Sequence, residues 1–316
     1  MSQTPLRCLP RPGETSALRT LPDQPESALR RNRACEPVAG HWRTRWRQLP
    51  RWAVLLALCI ALPMSSIQAQ DGGVNVRSES KLARLVPAAE VEQAAAQQYA
   101  ALKQEAAQKG VLASPNDPQL QRVRAVAQRI MPFAGKWNAR AGNWKWEINL
   151  LKSDEINAFC MPGGKIAFYS GIVDRLKLND DEIAIVMGHE MSHALREHSR
   201  ARMAQQAATN IGASLLSQLF GLSNAGNAVL SASASLIGLR FSRDDETEAD
   251  AVGLELAARA GYDPRAGVTL WQKMQASHSG GPPKWLSSHP ADGDRVAEIQ
   301  RHLPEVMPLY EKARRR

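Results

Sequence analysis

Apolar residues recur at helical spacing in two early stretches of the chain. Residues 90–109 place Val91, Ala95, Tyr99, Leu102 and Ala106 at these positions, and residues 118–131 place Leu120, Val123, Ala127 and Ile130 there. Spacings of three and four residues bring such side chains to one face of a helix. The pattern therefore predicts two helices whose apolar faces pack against a core and carry no chemistry.

A second pattern, alternation of apolar and polar residues, follows in residues 144–151. Short β-rich segments at 158–159 and 166–169 flank a Pro-Gly-Gly turn at 162–164. Alternation bounded by turn residues is typical of strands, so a small antiparallel sheet is predicted and the fold class is α+β, mainly helical. We expect the last strand, Ile166, Ala167, Phe168 and Tyr169, to be a sheet edge along which an extended substrate can pair.

Helical spacing resumes after Asn179, which suits an N-cap because Glu182 follows three residues later. This third helix carries the motif H-E-x-x-H, in which His189 is the first residue and His193 the last. Residues four apart share a face, so both imidazoles can bind one metal ion, and neutral imidazole is a zinc ligand. Glu190 lies beside that site, where it can take a proton from a metal-activated water.

An acidic stretch at residues 244–250 predicts the rest of the metal site. A catalytic zinc ion takes three protein ligands and keeps one open position, and Glu246 completes such a set. Asp250, one turn later, is expected to accept the outer N–H of a ligand imidazole. Glu248 lies about 200° further round the helix than Glu246 and should face away. The alternative is a solvated acidic face, because five acidic residues crowd this stretch.

Residues 204–239 contain no charged side chain. Polar residues interrupt this segment too often for a membrane span, so the sequence predicts a helical hairpin that turns near residues 223–226. A lid or a segment that touches a membrane surface is the alternative.

The net charge of +9 raises the question of nucleic acid, but its distribution argues against that partner. Residues 1–69 hold ten Arg and only four acidic residues, which leaves a net +3 for the remaining chain. No basic stripe interleaved with aromatic residues occurs in that remainder. We therefore expect no nucleic-acid partner.

The N-terminal segment has the pattern of a secretory signal. An Arg-rich stretch precedes an apolar run at residues 52–64, which is short for a membrane span, and small residues follow up to Ala69. The sequence predicts a signal peptide and extension at 1–69, a mobile linker at 70–86 and one domain at 87–316. A signal that stays uncleaved and anchors the chain to the membrane is the alternative.

Four segments carry a resemblance to a known family: N-A-F-C-M-P-G-G-K-I-A-F-Y-S-G at 157–171, G-H-E-M-S-H at 188–193, F-S-R-D-D-E-T-E-A-D at 241–250 and S-S-H-P at 287–290. In this order they resemble the zinc endopeptidases of the HtpX and CAAX-prenyl-protease type, gluzincins of metallopeptidase family forty-eight. The likeness extends over residues 86–312 and is closest to soluble, periplasmic LoiP-like members.

This resemblance implies a zincin domain with one zinc ion per subunit, held by His189, His193 and Glu246, and Glu190 as the catalytic base. In the family the histidine equivalent to His289 lies near the metal. His289 is therefore expected either to latch the open zinc position or to contact substrate.

Arg295 is expected to stabilise the oxyanion. For both His289 and Arg295 the alternative is a surface-loop or helix-face contact. His198 and His302 show no partner pattern and are expected to be exposed.

The sequence therefore predicts a zinc metalloendopeptidase of the periplasm that cleaves misfolded or envelope proteins. A second interpretation shares every ligand: a zinc-stabilised binding or chaperone-like module in which His289 permanently blocks the metal. A lipidation cysteine is lacking, which argues against a lipid anchor and leaves peripheral association or the uncleaved signal as the routes to a membrane. The oligomeric state does not follow from the sequence.

Overall fold

The computed structural model describes residues 72–206, 236, 239–277, 283–290 and 295–315, all within one compact unit, Ile67–Arg316. The predicted signal peptide and its cleavage site lie outside the described residues, and so does the predicted turn at 223–226 of the uncharged segment. Within these ranges, every helix is too short or too polar to cross a bilayer.

The first two helices match the predicted apolar periodicity. Helix α1 spans Ala88–Gln108 and helix α2 spans Pro118–Ile130. Asp117 caps α2, since its side chain accepts hydrogen bonds from the backbone N–H groups of Gln119 and Leu120. Both helices bury their predicted stripes, Leu102 only partly, and the Tyr99 hydroxyl on α1 donates to the Ile166 carbonyl of the sheet. The expectation that these faces serve packing is confirmed.

The sheet has three strands, β1 (Glu147–Leu151), β2 (Ala158–Met161) and β3 (Lys165–Tyr169), in the order β1-β3-β2. Strand β3 is antiparallel to β2 across the Pro-Gly-Gly turn but parallel to β1. The predicted all-antiparallel sheet is therefore wrong. The predicted edge at Ile166, Ala167, Phe168 and Tyr169 is also wrong, because β3 is paired on both sides.

The sequence of β3 explains its central place. Ile166, Ala167 and Phe168 form a continuous apolar run, and all three side chains are buried. Such a run is typical of a strand covered on both faces, whereas an edge strand that faces solvent alternates. The sequence pattern predicted the strand correctly but not its position in the sheet.

The short helix α3 (Ser170–Arg175) leads from the sheet to helix α4 (Asp180–Leu195), which contains the H-E-x-x-H sequence. Asn179 and Glu182 form the predicted capping box at its start. Helix α5 (Arg243–Arg259) packs directly on α4. The two backbones meet at Gly188 and Gly253, where a Cβ on Gly253 would lie 2.7 Å from the His189 backbone nitrogen. Only glycine permits this approach, which brings α5 to the metal-binding face of α4.

Beyond α4, residues 198–206 are helical, and three more helices complete the described fold. They are α6 (Ala266–Ala276), α7 (Lys284–Ser288) and α8 (Arg295–Arg314). Helix α8 packs on α5 and α6, and the main core lies between α2, α4, α5 and the sheet. Helix α7 is tied to the segment before β2, since the Trp285 backbone N–H donates to the Ile156 carbonyl at 3.1 Å.

The segment expected to be a mobile linker instead packs along the domain. In this N-terminal strap, residues 72–86, the Val74 backbone N–H donates to the buried Glu255 carboxylate at 2.9 Å. Arg77 Nε pairs with Glu248 Oε2 at 2.5 Å, and Arg200 donates to the Val86 carbonyl. Buried carboxylates on α5 need donors, and the strap provides them. The ordered domain therefore begins by residue 72 rather than at 87.

Candidate metal centre

Four side chains with metal-binding atoms converge where α4, α5 and α7 meet. They are His189 and His193 on α4, Glu246 on α5 and His289 at the end of α7, and their ligand atoms all lie within 4.8 Å of one another. Each residue is at most 2% exposed. The predicted metal ligands are thus brought together, and His289 joins them.

The separations suit a zinc ion. The two Nε2 atoms of His189 and His193 lie 3.1 Å apart, and each lies 3.5 Å from a Glu246 oxygen. In a tetrahedral site with bonds of about 2.0–2.1 Å, neighbouring ligand atoms are about 3.3–3.4 Å apart. Lone pairs that face one another at this distance repel unless a cation lies between them. The donor set therefore fits zinc.

Asp250 and Arg295 support this group from α5 and α8. Asp250 Oδ1 lies 2.9 Å from His189 Nδ1, which places the imidazole proton there and leaves Nε2 as the ligand atom. Arg295 donates to Glu246 Oε2 at 2.8 Å and to Asp250 Oδ1 at 2.7 Å. It is 3% exposed and lies over the Trp271 ring. This placement favours a role in positioning Glu246, rather than the predicted contact with the oxyanion.

The carboxylates stay ionised in this environment. Burial alone would raise the pKa of Glu246, but His289, His189 and Arg295 together lower it to about 2. Burial likewise opposes ionisation of Asp250, yet Arg295 and His189 bring its pKa below the ordinary value. Both groups are therefore charged at neutral pH and available as a ligand and as a hydrogen-bond acceptor.

His198 supports the second ligand and was missed by sequence reasoning. It was expected to be exposed, but it is 3% exposed and its Nδ1 lies 3.0 Å from His193 Nδ1. After α4 the chain turns at Glu197, whose φ of 56° brings His198 back against the helix. Periodicity does not reveal such a left-handed residue. His302, the other histidine expected to be exposed, is only partly so and contacts Glu305.

His193 is also held by its surroundings in the form that binds metal. The Phe241 ring stacks on its imidazole with centroids 3.9 Å apart. Burial, reinforced by the neighbouring His189 and His289, lowers the pKa of His193 well below the ordinary value. The neutral imidazole is the form that ligates zinc.

Glu190 lies next to the ligands and is oriented by a residue that the sequence did not indicate. Its Oε1 accepts a hydrogen bond from the Trp285 indole N–H at 2.6 Å. Its Oε2 is buried and, among the described residues, lacks a hydrogen-bond partner. An unpaired buried acceptor costs about 1–3 kcal/mol, and such groups are frequent where chemistry takes place.

His289 faces both the ligands and Glu190. Its Nδ1 lies 3.2 Å from His189 Nε2 and 3.1 Å from Glu246 Oε1, and its Nε2 lies 3.5 Å from Glu190 Oε1. The Trp285 ring stacks on it with centroids 4.8 Å apart. Because His289 is buried, the surface-loop alternative does not hold. Its position matches that of a fourth metal ligand.

Comparisons with known proteins agree with this centre. The mitochondrial metalloendopeptidase OMA1 of Schizosaccharomyces pombe is 34% identical over 186 residues, which cover 58% of this chain and 53% of that protein. The beta-barrel assembly-enhancing protease of Escherichia coli is 31% identical over 206 residues, which cover 61% of this chain and 41% of that protein. The chain thus spans about half the length of these relatives or less. Residues 118–303, which include all four converging side chains, match the model of peptidase family M48, and the chain belongs to that family.

Proposed function

We propose that this protein is a zinc-dependent metalloendopeptidase that hydrolyses peptide bonds in misfolded or envelope proteins. The observation that carries the proposal is the convergence of His189, His193 and Glu246, with the Glu190 carboxylate directly beside them. Membership of peptidase family M48 and the metalloprotease names of the relatives support it. The finer likeness to LoiP-like members stays a prediction.

A zinc ion held by His189, His193 and Glu246 would supply Lewis acidity to the scissile carbonyl and to the attacking water. Glu190 then accepts the proton of that water at Oε2 and passes it to the leaving amine. Trp285 fixes the other carboxylate oxygen of Glu190 by its hydrogen bond. Asp250 keeps the proton of His189 on Nδ1, away from the reacting groups.

The substrate backbone in this proposal runs along β2 rather than β3. Strand β2 packs beside α4, and among the described residues its ladder is formed with β3 alone. Its other side can therefore accept an extended peptide by main-chain hydrogen bonds. Such pairing depends little on side chains, and it needs an unfolded segment of substrate. This fits misfolded proteins as the substrate class.

The second candidate, a latched binding module, is favoured by the position of His289. Its Nδ1 reaches the same point as the other ligands, so it can close the position that a catalytic metal keeps open. In that state the chain would bind zinc and protein segments without cleaving them. Turnover alone separates the two candidates.

The predicted signal sequence supports the periplasm as the location. Residues 1–69 would leave with export, and the catalytic domain would begin with the strap at residue 72. Sedimentation with vesicles tests for contact with a membrane surface. Light scattering on the purified protein gives the oligomeric state.

The test is degradation of casein by the purified protein, with zinc content determined on the same samples. We expect wild type to cleave, and Glu190→Gln to keep its zinc while losing cleavage. His289→Ala should cleave at least as fast as wild type. Cleavage that appears only in His289→Ala would identify a latched enzyme. Zinc without cleavage in all three proteins would favour the binding module and count against the protease.

A further inference from the structure

We infer that the cavity between the open end of the β2–β3 hairpin and helix α7 is a substrate pocket that takes one bulky apolar side chain. The inference rests on the proposed peptidase function and deepens it, since it names what the enzyme selects in its substrates. The cavity measures about 300 Å³ and is lined by Asn157 just before β2, Ala158 and Phe159 from β2, Tyr169 from β3, and Lys284, Ser287 and Ser288 from α7. This volume falls at the lower end of the range of ligand pockets, about 300–1,000 Å³.

The cavity adjoins the metal centre through α7. Ser287 and Ser288 directly precede His289, whose Nδ1 lies 3.2 Å from His189 Nε2. In the same helix, the Trp285 indole donates to Glu190. A side chain bound in the cavity therefore belongs to a residue close to the bond that is cleaved.

The cavity also adjoins the strand along which the substrate would lie. Ala158 and Phe159 are in β2, and the Tyr169 backbone N–H donates to the Asn157 carbonyl just before that strand. Alternate side chains of a peptide paired with β2 point to one face of the sheet. Those on the face of Phe159 and Tyr169 enter the cavity.

The walls define the chemistry of the occupant. The rings of Phe159 and Tyr169 lie 6.5 Å apart at a tilted angle, which offers an aromatic surface to an inserted side chain. Ala158 and the small serines of α7 leave the space between them open. At the rim, Lys284 pairs with Glu155 at 3.1 Å, so its charge is balanced and does not select an acidic residue. Leu, Met, Phe and Tyr suit this cavity.

This selection has a consequence for substrate choice. Bulky apolar residues are mostly buried in folded proteins and exposed in misfolded ones. An enzyme that needs both an extended backbone and an accessible apolar side chain would cleave misfolded chains and spare folded ones. The pocket thus supplies a selectivity that backbone pairing along β2 alone does not.

The experiment uses peptides that are identical except for one residue next to the scissile bond, which is Phe, Leu, Ala or Asp. Wild type should cleave the Phe and Leu peptides with a kcat/KM at least about tenfold above that of the Ala peptide, as expected for filling an apolar pocket. Ser287→Trp places an indole in the cavity from an exposed position. It should bring the ratio of kcat/KM between the Phe and Ala peptides near one. Phe159→Ala should lower the ratio as well.

Ser114→Trp is the matched control, because it makes the same change at an exposed serine in the loop before α2. It should keep the wild-type ratio. Equal ratios in wild type and Ser287→Trp, with cleavage intact, would overturn the pocket and leave the protease standing. A loss of selectivity in Ser114→Trp equal to that in Ser287→Trp would overturn it too.

A binding measurement separates the two proposals. In the Glu190→Gln background, the affinity for a fluorescent Phe peptide relative to its Ala counterpart should fall when Ser287→Trp is added. Suppose that neither wild type nor any variant cleaves a peptide, yet the Phe peptide binds more tightly than the Ala peptide and Ser287→Trp removes this difference. The protease proposal then fails and the pocket stands. If wild type cleaves without any preference for Phe or Leu over Ala, the pocket proposal fails alone.

Discussion

At the scale of single residues, the imidazoles of His189 and His193 are each oriented by a different partner on the side away from the metal site. His189 donates to the Asp250 carboxylate, which Arg295 holds in turn. His193 instead faces His198, whose Nε2 lies 3.7 Å from Glu248 Oε2 on the other side of the ring. Partners of this kind fix the ring orientation and the tautomer of a ligand.

Replacing His198 should therefore weaken metal binding. We expect His198→Phe to lower zinc affinity by about 10–100-fold, because it fills the space but no longer bonds to His193 Nδ1. His198→Asn, which keeps a polar partner, should recover part of the loss. Competition with a chromophoric chelator measures the affinity.

His302→Phe is the control for this change, since His302 pairs with Glu305 on its own helix α8 and does not belong to the metal-binding group. It should bind zinc as wild type does. A His198→Phe protein with unchanged zinc affinity would show that His193 needs no support from His198.

At the scale of elements, the metal centre depends on how closely α5 approaches α4. Gly188 and Gly253 form the contact, and Glu246 lies two turns before Gly253 on α5. Ligands on two helices reach one ion only if the helices keep this separation. The metal site therefore requires the two glycines as well as the ligands.

Gly253→Ala should disturb both the fold and the site. The added Cβ would lie within 3.0 Å of backbone atoms of Gly188 and His189, so the helices must separate. We expect a loss of about 1–3 kcal/mol in the free energy of unfolding, together with weaker zinc binding. Urea denaturation and metal titration measure the two effects.

Gly142→Ala provides the comparison, because a Cβ there meets nothing within 4 Å. Its stability and its zinc affinity should stay close to wild type. If Gly253→Ala resembles Gly142→Ala in both measurements, the close approach of the helices is not required.

Helical periodicity predicted most residues of the metal centre. It did not predict the order of the strands or the points where the chain reverses. His189, His193, Glu246 and Asp250 occupy positions that a period of 3.6 residues places correctly. Strand β3 was predicted as a strand but at the wrong place, since pairing partners are not encoded in alternation. Trp285 gave no signal, because it reaches Glu190 from a distant helix across a fold that must form first.

At the scale of the whole molecule, the N-terminal strap joins parts that are distant in sequence. Arg77 of the strap and Arg196 at the end of α4 both pair with the Glu248 carboxylate of α5. The sequence predicted this segment to be a linker. Its order comes from buried acids on α5, which only the folded domain brings to it.

This arrangement predicts a dependence of stability on acid. Burial alone would raise the pKa of Glu248, but His198 and Arg196 lower it to about 2, from an ordinary value of 4.5. A carboxylate with a lowered pKa stabilises the fold above its unfolded pKa, and this contribution is lost as the pH falls from 4.5 towards 2. In metal-free protein, Glu248→Gln should therefore be less stable than wild type at pH 7, and the difference should shrink below pH 4.5.

Denaturant unfolding across this pH range provides the measurement, and Glu311→Gln at an exposed position of α8 is the control. The control should follow wild type throughout. A stability difference for Glu248→Gln that stays constant from pH 7 to pH 2 would contradict the ion-pair account of the strap.

The most direct test of the account is zinc content and casein cleavage in Glu246→Gln and Glu248→Gln, measured on the same samples at pH 7. The two acids lie two residues apart on α5. Glu246 faces the imidazoles that converge on the metal site, while Glu248 pairs with Arg196 and Arg77. We predict one zinc ion per subunit and cleavage in wild type and in Glu248→Gln. Glu246→Gln should lose most of both. Full zinc content and cleavage in Glu246→Gln would contradict the proposed centre.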